Sequence, residues 1–259
     1  MCKEQVKTFK HYVLLLFVIA AALVASCKKT TLESDTASLT VVNAAVGQRQ
    51  IIPNFDANTP LPQYFYSLHV IYGNFSVYDQ VDYTGKRTLA FYNYIDTLPQ
   101  DNPLVTLPVD LENGSVHSVF VTGTPAHPDV LFTNDTIAYY PNNDSTAGIR
   151  FVNVLSSGES ISVNQQATPA VKEVSNLAYK GVTGFIRYPA TGNVASYNFE
   201  FRNAVTGSLI RTYTVYQPGA QGLSYDPNQW LFKNNTLALM GSTDSAGTYQ
   251  PQVVLINNF

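Results

Sequence analysis

The stretch that decides the fold is YNFEFRN, residues 197–203. Its three aromatic side chains alternate with Asn198, Glu200 and Arg202. Successive side chains of a β-strand point to opposite faces of the sheet. The period of two therefore predicts a strand with one buried aromatic face and one exposed polar face.

Comparable short runs, alternating or apolar, recur along the chain and are separated by turn residues such as YTGK at 83–86, ENG at 112–114 and PATG at 189–192. They occupy residues 38–44, 64–73, 75–81, 88–95, 115–123, 130–134, 149–155, 183–189, 208–216, 236–242 and 252–258. Only VKEVSNLAY, residues 171–179, has a spacing compatible with a short helix. Many short strands between turns predict an all-β sandwich or barrel.

An internal repeat divides the chain, because five segments recur in the same order about 110 residues later. The pairs are 38–44 with 148–154, 71–85 with 178–192, 87–93 with 197–203, 111–123 with 231–243, and 129–135 with 252–258. They predict two tandem immunoglobulin-like antiparallel β-sandwiches, at 38–141 and 148–259, with PNNDSTA at 141–147 as linker. The alternative is one long all-β domain whose hairpins resemble one another.

The N-terminus has the features of an export signal. Lys3, Lys7 and Lys10 precede an uncharged apolar run at residues 13–25, which ends in small residues before Cys27. A transmembrane helix is the alternative, but crossing a bilayer takes ~20 apolar residues and this run is shorter. The pattern predicts a signal peptide at residues 1–26.

The cysteine directly after the predicted cleavage point resembles the lipobox of bacterial lipoproteins. That resemblance implies that the Cys27 thiol is acylated, with palmitate-type chains, and becomes the new N-terminus. Two or more acyl chains give stable membrane anchoring. Residues 27–37 are then a lipidated polar tether.

Charge and cysteine content narrow the class of protein. The chain of 259 residues carries a net charge of −3, and loss of the leader lowers it to about −5. No basic cluster follows Lys28-Lys29, so nucleic acid is not an expected partner. Cys2 leaves with the leader and Cys27 is modified, so the mature fold is expected to have no disulfide.

Three short motifs carry a resemblance to a known family. They are Val-Asn at the end of each opening strand (42–43 and 152–153), the Tyr-Gly or Tyr-Lys-Gly that follows (72–73 and 179–181), and Pro-x-x-Gly before the aromatic strand (189–192). This pattern resembles the domain-of-unknown-function family 4397, common in Bacteroidetes lipoproteins, and the SCKK start at 26–29 is similar to lipoproteins of that phylum. The resemblance implies no activity and no functional residues.

Catalytic and metal-binding motifs are not found in the sequence. His69, His117 and His127 are interpreted as strand-face or loop residues, and no Gly-x-Ser-x-Gly elbow or clustered metal ligands occur. Asp79 and Asp82 are expected on opposite faces. The prediction is a protein that is not an enzyme and has no cofactor or metal; a hydrolase built from distant loops is the remaining enzymatic alternative.

Aromatic side chains offer a different site, since flat rings can stack against sugars. Trp230, the only tryptophan, is the candidate for such a glycan platform. The alternative is that it belongs to the core, where most aromatics of a sandwich lie.

Five Asp-Ser/Thr dipeptides, each followed by a small, apolar or Thr residue, fall in predicted loops or the tether. The pattern resembles the general O-glycosylation motif of exported Bacteroidetes proteins and implies Thr36, Thr97, Thr136, Ser145 and Ser245 as candidate O-glycosylation sites. Asp-Ser/Thr also favours turns and caps, which explains the same placement.

The sequence therefore predicts a lipid-anchored cell-envelope protein, at the outer membrane, that acts as a binding or structural module. Its expected partners are the membrane, through the lipid, and a glycan or an envelope protein. The alternative is an accessory glycan-binding surface lipoprotein that uses exposed aromatics. An exposed aromatic row would favour sugar binding, and a long uncovered edge strand would favour a partner that adds a strand.

Overall fold

A computed structural model of the chain describes residues 36–55, 69–81, 84–94, 102–141, 143–220 and 228–258, without the side chains of 78–81. The strands in these residues are β1 (Ala37–Asn43), β2 (Gln50–Asn54), β3 (Val70–Ile71), β4 (Phe75–Val81), β5 (Gly85–Asn93), β6 (Val105–Leu111), β7 (Val116–Thr124), β8 (His127–Asn134), β9 (Thr146–Leu155), β10 (Ile161–Gln165), β11 (Lys172–Leu177), β12 (Ile186–Pro189), β13 (Ser196–Asn203), β14 (Leu209–Tyr216), β15 (Asn234–Gly241) and β16 (Gln252–Asn258). A single 3-10 turn, Gly247–Tyr249, is the one helical element within them. The all-β prediction is confirmed.

The strands form four sheets that pair into two sandwiches. The first sandwich, β1–β8, contains sheets of order β4-β1-β7-β8 and β3-β2-β5-β6; the second, β9–β16, contains β12-β9-β15-β16 and β11-β10-β13-β14. Adding eight to each strand number of the first sandwich gives the second. The prediction of two tandem sandwiches is therefore confirmed, although each contains one parallel pair, β1 with β7 and β9 with β15.

The structural register aligns the two sandwiches differently from the sequence at one strand. Ser38 lies opposite Val116, whereas its counterpart Gly148 lies opposite Asn234. Val116 therefore corresponds to Asn234, two residues from the alignment of 111–123 with 231–243. The difference arises because the register follows the hydrogen bonds to the central strand rather than similar residue types.

Each sandwich encloses an apolar core between its two sheets. In the second sandwich, Phe151, Phe199 and Phe201 are fully buried, and Phe151 meets both other rings edge-on. The aromatic face predicted for residues 197–203 thus packs into the core. Leu39, Val41, Ile51, Leu89 and Phe91 lie in the corresponding core of the first sandwich.

A third apolar cluster joins the two sandwiches, so that the sheets stack in four layers. It consists of Val42, Ala44, Tyr72 and Phe120 from the first sandwich and Val152, Val154, Ala238, Met240 and Ile256 from the second. Strand β15 is buried along its whole length because alternate residues face the two different clusters. Equivalent faces of the two repeats meet here, as in a two-fold symmetric dimer interface.

The Val-Asn motif has a structural explanation. Asn43 Nδ2 donates to the carbonyls of Gln48 and Val70, and Asn153 Nδ2 donates to those of Glu159 and Leu177. Each Oδ1 accepts the backbone N–H two residues later. Both asparagines are fully buried. They satisfy backbone groups where the chain crosses from one sheet to the other.

Residues 171–179 do not form a helix. Lys172–Leu177 is strand β11, which pairs with β10 at the edge of the outer sheet. Val171, Val174 and Leu177 are three residues apart, a spacing that imitates one helical face, but the partner strand determines the structure.

Candidate functional site

A buried ion pair crosses the interface between the sandwiches. Arg150 on β9 contacts Asp135, just after β8, through Nη1–Oδ1 at 2.6 Å and Nη2–Oδ2 at 2.9 Å. Their side chains are 4% and 0% exposed. Asp135 also accepts hydrogen bonds from Ser118 Oγ at 2.5 Å and Thr133 Oγ1 at 2.7 Å. The carboxylate is therefore fully satisfied by protein groups.

The same arginine fixes the orientation of an asparagine in the second sandwich. Arg150 Nε donates to Thr236 Oγ1 at 2.6 Å. Because a guanidinium can only donate, the Thr236 hydroxyl directs its own proton to Asn258 Oδ1, 2.5 Å away. The carbonyl of the Asn258 amide is thus committed to Thr236. Its Nδ2 has no hydrogen-bond partner among the described residues and is not sealed from solvent.

Asn258 lines a cavity of about 320 Å³, which we call the amide pocket; its described lining residues are Gln229, Lys233, Asn234, Asn257 and Asn258. Asn234 is immobilised by the segment between the sandwiches, since its Oδ1 accepts from Tyr140 Oη at 3.0 Å and its Nδ2 donates to the Ala138 carbonyl. Gln229 and Asn257 are exposed. Residues with hydrogen-bonding side chains thus line a space of the size that small ligands occupy.

The turn before β15 positions one wall of the amide pocket. Asn228 Oδ1 accepts the backbone N–H groups of Trp230 and Leu231, at 2.7 and 2.9 Å. Phe232 then takes a left-handed conformation with φ of 62°. These bonds place Lys233 directly before β15, where it lines the pocket.

A second concave region is an open groove of about 490 Å³ over the outer face of β5 and β6; it is lined by Lys86, Arg87, Thr88, Pro108, Val109 and Asp110. Lys86 lies directly opposite Asp110 in the strand register. The groove therefore presents charges of both signs across two flat strands, and it offers less convergent chemistry than the amide pocket.

The polar face of β13 is largely satisfied by the protein itself. Glu200 Oε2 accepts from Asn164 Nδ2 at 3.0 Å and from Arg202 Nε and Nη2 at 3.1 and 3.0 Å. The hydrogen bond from Asn164, followed by the bonds and charge of Arg202, lowers the pKa of Glu200. Tyr216, opposite Ser196 at the end of this face, is the exposed aromatic nearest to it in register.

The prediction of a glycan platform at Trp230 is wrong. Trp230 is 4% exposed and belongs to the core of the second sandwich. Its ring packs against apolar side chains and has no free face for a sugar. Its neighbour Gln229, by contrast, lines the amide pocket.

The structure describes four of the six predicted modification sites. Cys27 and Thr97 lie outside the described residues. Thr136 and Ser145 are exposed, whereas Thr36 and Ser245 are partly buried. Asp135, the acid of one motif, is the buried partner of Arg150. Glycosylation of these hydroxyls stays a prediction.

The three histidines lie in different surroundings. His117 stacks on Phe132 with ring centres 4.8 Å apart, and its Nε2 lies 2.7 Å from Ser115 Oγ. Burial lowers the pKa of His117. His69 packs edge-on against Tyr94, and His127 is exposed at the start of β8. The backbone of Asp79 is part of β4, while Asp82 lies outside the described residues.

No group of three or more His, Cys, Asp or Glu is arranged to hold a metal ion in the described part of the chain. Nor does any helix there have the length and apolarity to cross a membrane.

Comparison with protein-family models and with curated proteins finds no match. Among solved structures, the chain is similar to family 41 carbohydrate-binding modules from streptococcal virulence factors, with 11% identity over 85% of this chain and 97% of that one, at a TM-score of 0.24. It is also similar to a "putative adhesin" from Bacteroides ovatus, with 11% identity over 86% and 94% of the two chains, at a TM-score of 0.25. Because both TM-scores are below 0.5, these similarities carry no argument about function.

Proposed function

We propose that this protein is a ligand-binding module of the bacterial cell envelope and that the amide pocket is its binding site. One observation carries the proposal: Asn258 is 3% exposed, its carbonyl is committed to Thr236, and its amino group has no partner among the described residues. An amide nitrogen left without a partner on a largely buried residue is costly unless water or a ligand satisfies it. The proposal assigns the protein no catalytic step.

The pocket chemistry favours a glycan as the ligand. A sugar hydroxyl donates and accepts hydrogen bonds, and so does the side-chain amide of each of Gln229 and Asn257, both exposed. The methylene stems of Gln229 and Lys233 supply apolar surface for the C–H faces of a sugar ring. This corresponds to the predicted glycan-binding alternative, with amides in place of an aromatic platform.

A matched pair of asparagines tests the proposal. Asn134 ends β8 and Asn257 lies at the corresponding place on β16, and both are exposed. All the described strands belong to one compact unit, Asp35–Phe259, so a chain beginning at Lys28 contains every one of them and is the form to test. On a glycan array, Asn257→Ala should lose binding and Asn134→Ala should match the unmodified chain. Absence of glycan binding, or equal binding by both variants, would refute the proposal.

We also propose that the protein is a Bacteroidetes lipoprotein of the domain-of-unknown-function family 4397, held at the outer membrane by acyl chains on Cys27. The support is the charged, apolar and small-residue series before Cys27 and the three family motifs. In a bacterial host, Cys27→Ser should move the protein from the membrane to the soluble fraction. Mass spectrometry of the protein without this substitution should find an acylated cysteine at the N-terminus. An unacylated terminus would contradict the anchor.

A further inference from the structure

We infer that the amide pocket selects glycans that carry a carboxylate, such as those built from uronic acid units. The inference rests on the proposed function and narrows it to one ligand class. It follows from which hydrogen-bonding groups of the pocket are already used, from the charge around it, and from a comparison with the equivalent position in the first sandwich.

The buried carbonyls of the pocket are already occupied. Asn258 Oδ1 accepts the Thr236 hydroxyl and Asn234 Oδ1 accepts the Tyr140 hydroxyl. The group that remains on Asn258 is a donor, its Nδ2. A pocket in which the oriented group is a hydrogen-bond donor favours a ligand oxygen that accepts a hydrogen bond and carries no proton.

The charges around the pocket also favour a ligand oxygen that accepts hydrogen bonds and is negative. None of the ion pairs within the described residues involves Lys233, which lines the cavity, and none of the described lining residues is acidic. Other charges close to lining residues belong to ion pairs. Arg150, which reaches Asn258 through the Thr236 hydroxyl, is paired with Asp135. Arg187, 5.1 Å from the Tyr140 ring, is paired with Asp144. An ammonium and an oriented amide can bind the two oxygens of one carboxylate through charge-assisted hydrogen bonds.

The equivalent position in the first sandwich shows what the pocket avoids. Asp135 corresponds to Asn258, and Ser118 donates to it at 2.5 Å as Thr236 donates to Asn258. A carboxylate at this position is an acceptor, and it binds the guanidinium of Arg150. The amide at position 258 keeps the bond to the hydroxyl but replaces a negative oxygen with a donor.

The test compares each uronic acid oligosaccharide with its carboxyl-reduced form, which has the same length and linkages but no charge. Isothermal titration of the chain beginning at Lys28 should give about tenfold or more tighter binding of the acidic form, because a hydrogen bond to a charged group outweighs a neutral one. Raising the salt concentration should narrow the difference.

Three variants test whether the preference for the acidic form arises in the amide pocket. Asn258→Asp and Lys233→Gln should each remove the preference for the acidic form, because each weakens binding of that form more than binding of the reduced form. Lys86→Gln, an exposed lysine in the groove over β5 and β6, is the matched control and should keep the preference. Equal affinity for acidic and reduced forms, or loss of preference in the Lys86 variant, would overturn the inference and leave glycan binding intact. Failure to bind either form would overturn the proposed function itself.

Discussion

Asp135 and Asn258 occupy the same place in the two sandwiches, yet one closes an interface and the other faces a pocket. Each accepts a hydrogen bond of 2.5 Å from a hydroxyl on the neighbouring strand. Arg150 donates to both hydroxyls, Ser118 and Thr236, but it forms an ion pair only with Asp135.

Two further differences between the repeats account for this divergence. The counterpart of Arg150 in the first sandwich is Thr40, so no second guanidinium reaches Asn258. The counterpart of Thr133, which donates to Asp135, is the apolar Ile256. In a duplicated structure, this position of one repeat can therefore hold the two sandwiches together, while the equivalent position of the other repeat remains open for a ligand.

The largest expected effect comes from breaking the buried ion pair. Asp135→Ala leaves the Arg150 charge buried and unpaired, so the free energy of unfolding should fall by about 3–5 kcal/mol. Asn258→Ala removes only a neutral partner of Thr236, and the loss should be about 1 kcal/mol. Urea unfolding of both variants measures the difference; equal losses would contradict the distinct roles assigned to the two positions.

A smaller loss of stability, equal in both repeats, is expected when either of two equivalent glycines is replaced by alanine. Gly123 and Gly241 are equivalent, with φ of 80° and 102°, and an added Cβ would collide with the carbonyl oxygen of His127 or Gln250. Alanine at either position should lower the free energy of unfolding by about 1–3 kcal/mol. Gly192→Ala, where a Cβ meets open space, is the control. Thermal unfolding should shift alike for the first two, and a large difference between them would show that the repeats are not equivalent there.

The pH dependence of stability should differ between the repeats. His117 corresponds to Asn235, and burial holds the pKa of His117 below its ordinary value of 6.5. Below that pH the unfolded chain takes up the proton first, so stability is complete above 6.5 and falls as the pH drops. The slope from one group is at most about 1.4 kcal/mol per pH unit.

Replacing this histidine by the residue of the other repeat tests the assignment. His117→Asn should flatten the slope between pH 7 and 5 in urea unfolding, whereas His127→Gln, at the exposed start of β8, should not. An unchanged slope in His117→Asn would assign the pH dependence to other groups.

The fold was predictable because its strands alternate locally and repeat. Residues 75–81 and 252–258 were predicted as strands with the bounds of β4 and β16. Strands β2 and β10 were missed because they have only five residues, and β6 was missed because it carries polar residues and Pro108. The parallel pair at the centre of each sandwich was missed as well, because neither strand records its partner's direction in its own residues.

The candidate site was less predictable, because pairing of β15 with β16 brings together residues from 229 to 258. The dipeptides Asn234-Asn235 and Asn257-Asn258 were the available signal, and the repeat already aligned Asn258 with Asp135. The role of Asp135 was hidden because its partner Arg150 lies across an interface that the sequence does not specify. The burial of Trp230 likewise depends on the neighbouring strands.

The most direct test of the account is a titration of isotope-labelled protein with a uronic acid oligosaccharide, followed by ¹H–¹⁵N NMR. Signals of the side-chain amides of Gln229, Asn257 and Asn258 should shift most, while those near Asn134 and Asp135 should stay in place. Shifts centred on the first sandwich, on the groove with Lys86 or on the outer face near Tyr216 would contradict the claim that the second repeat alone has kept this position open for a ligand.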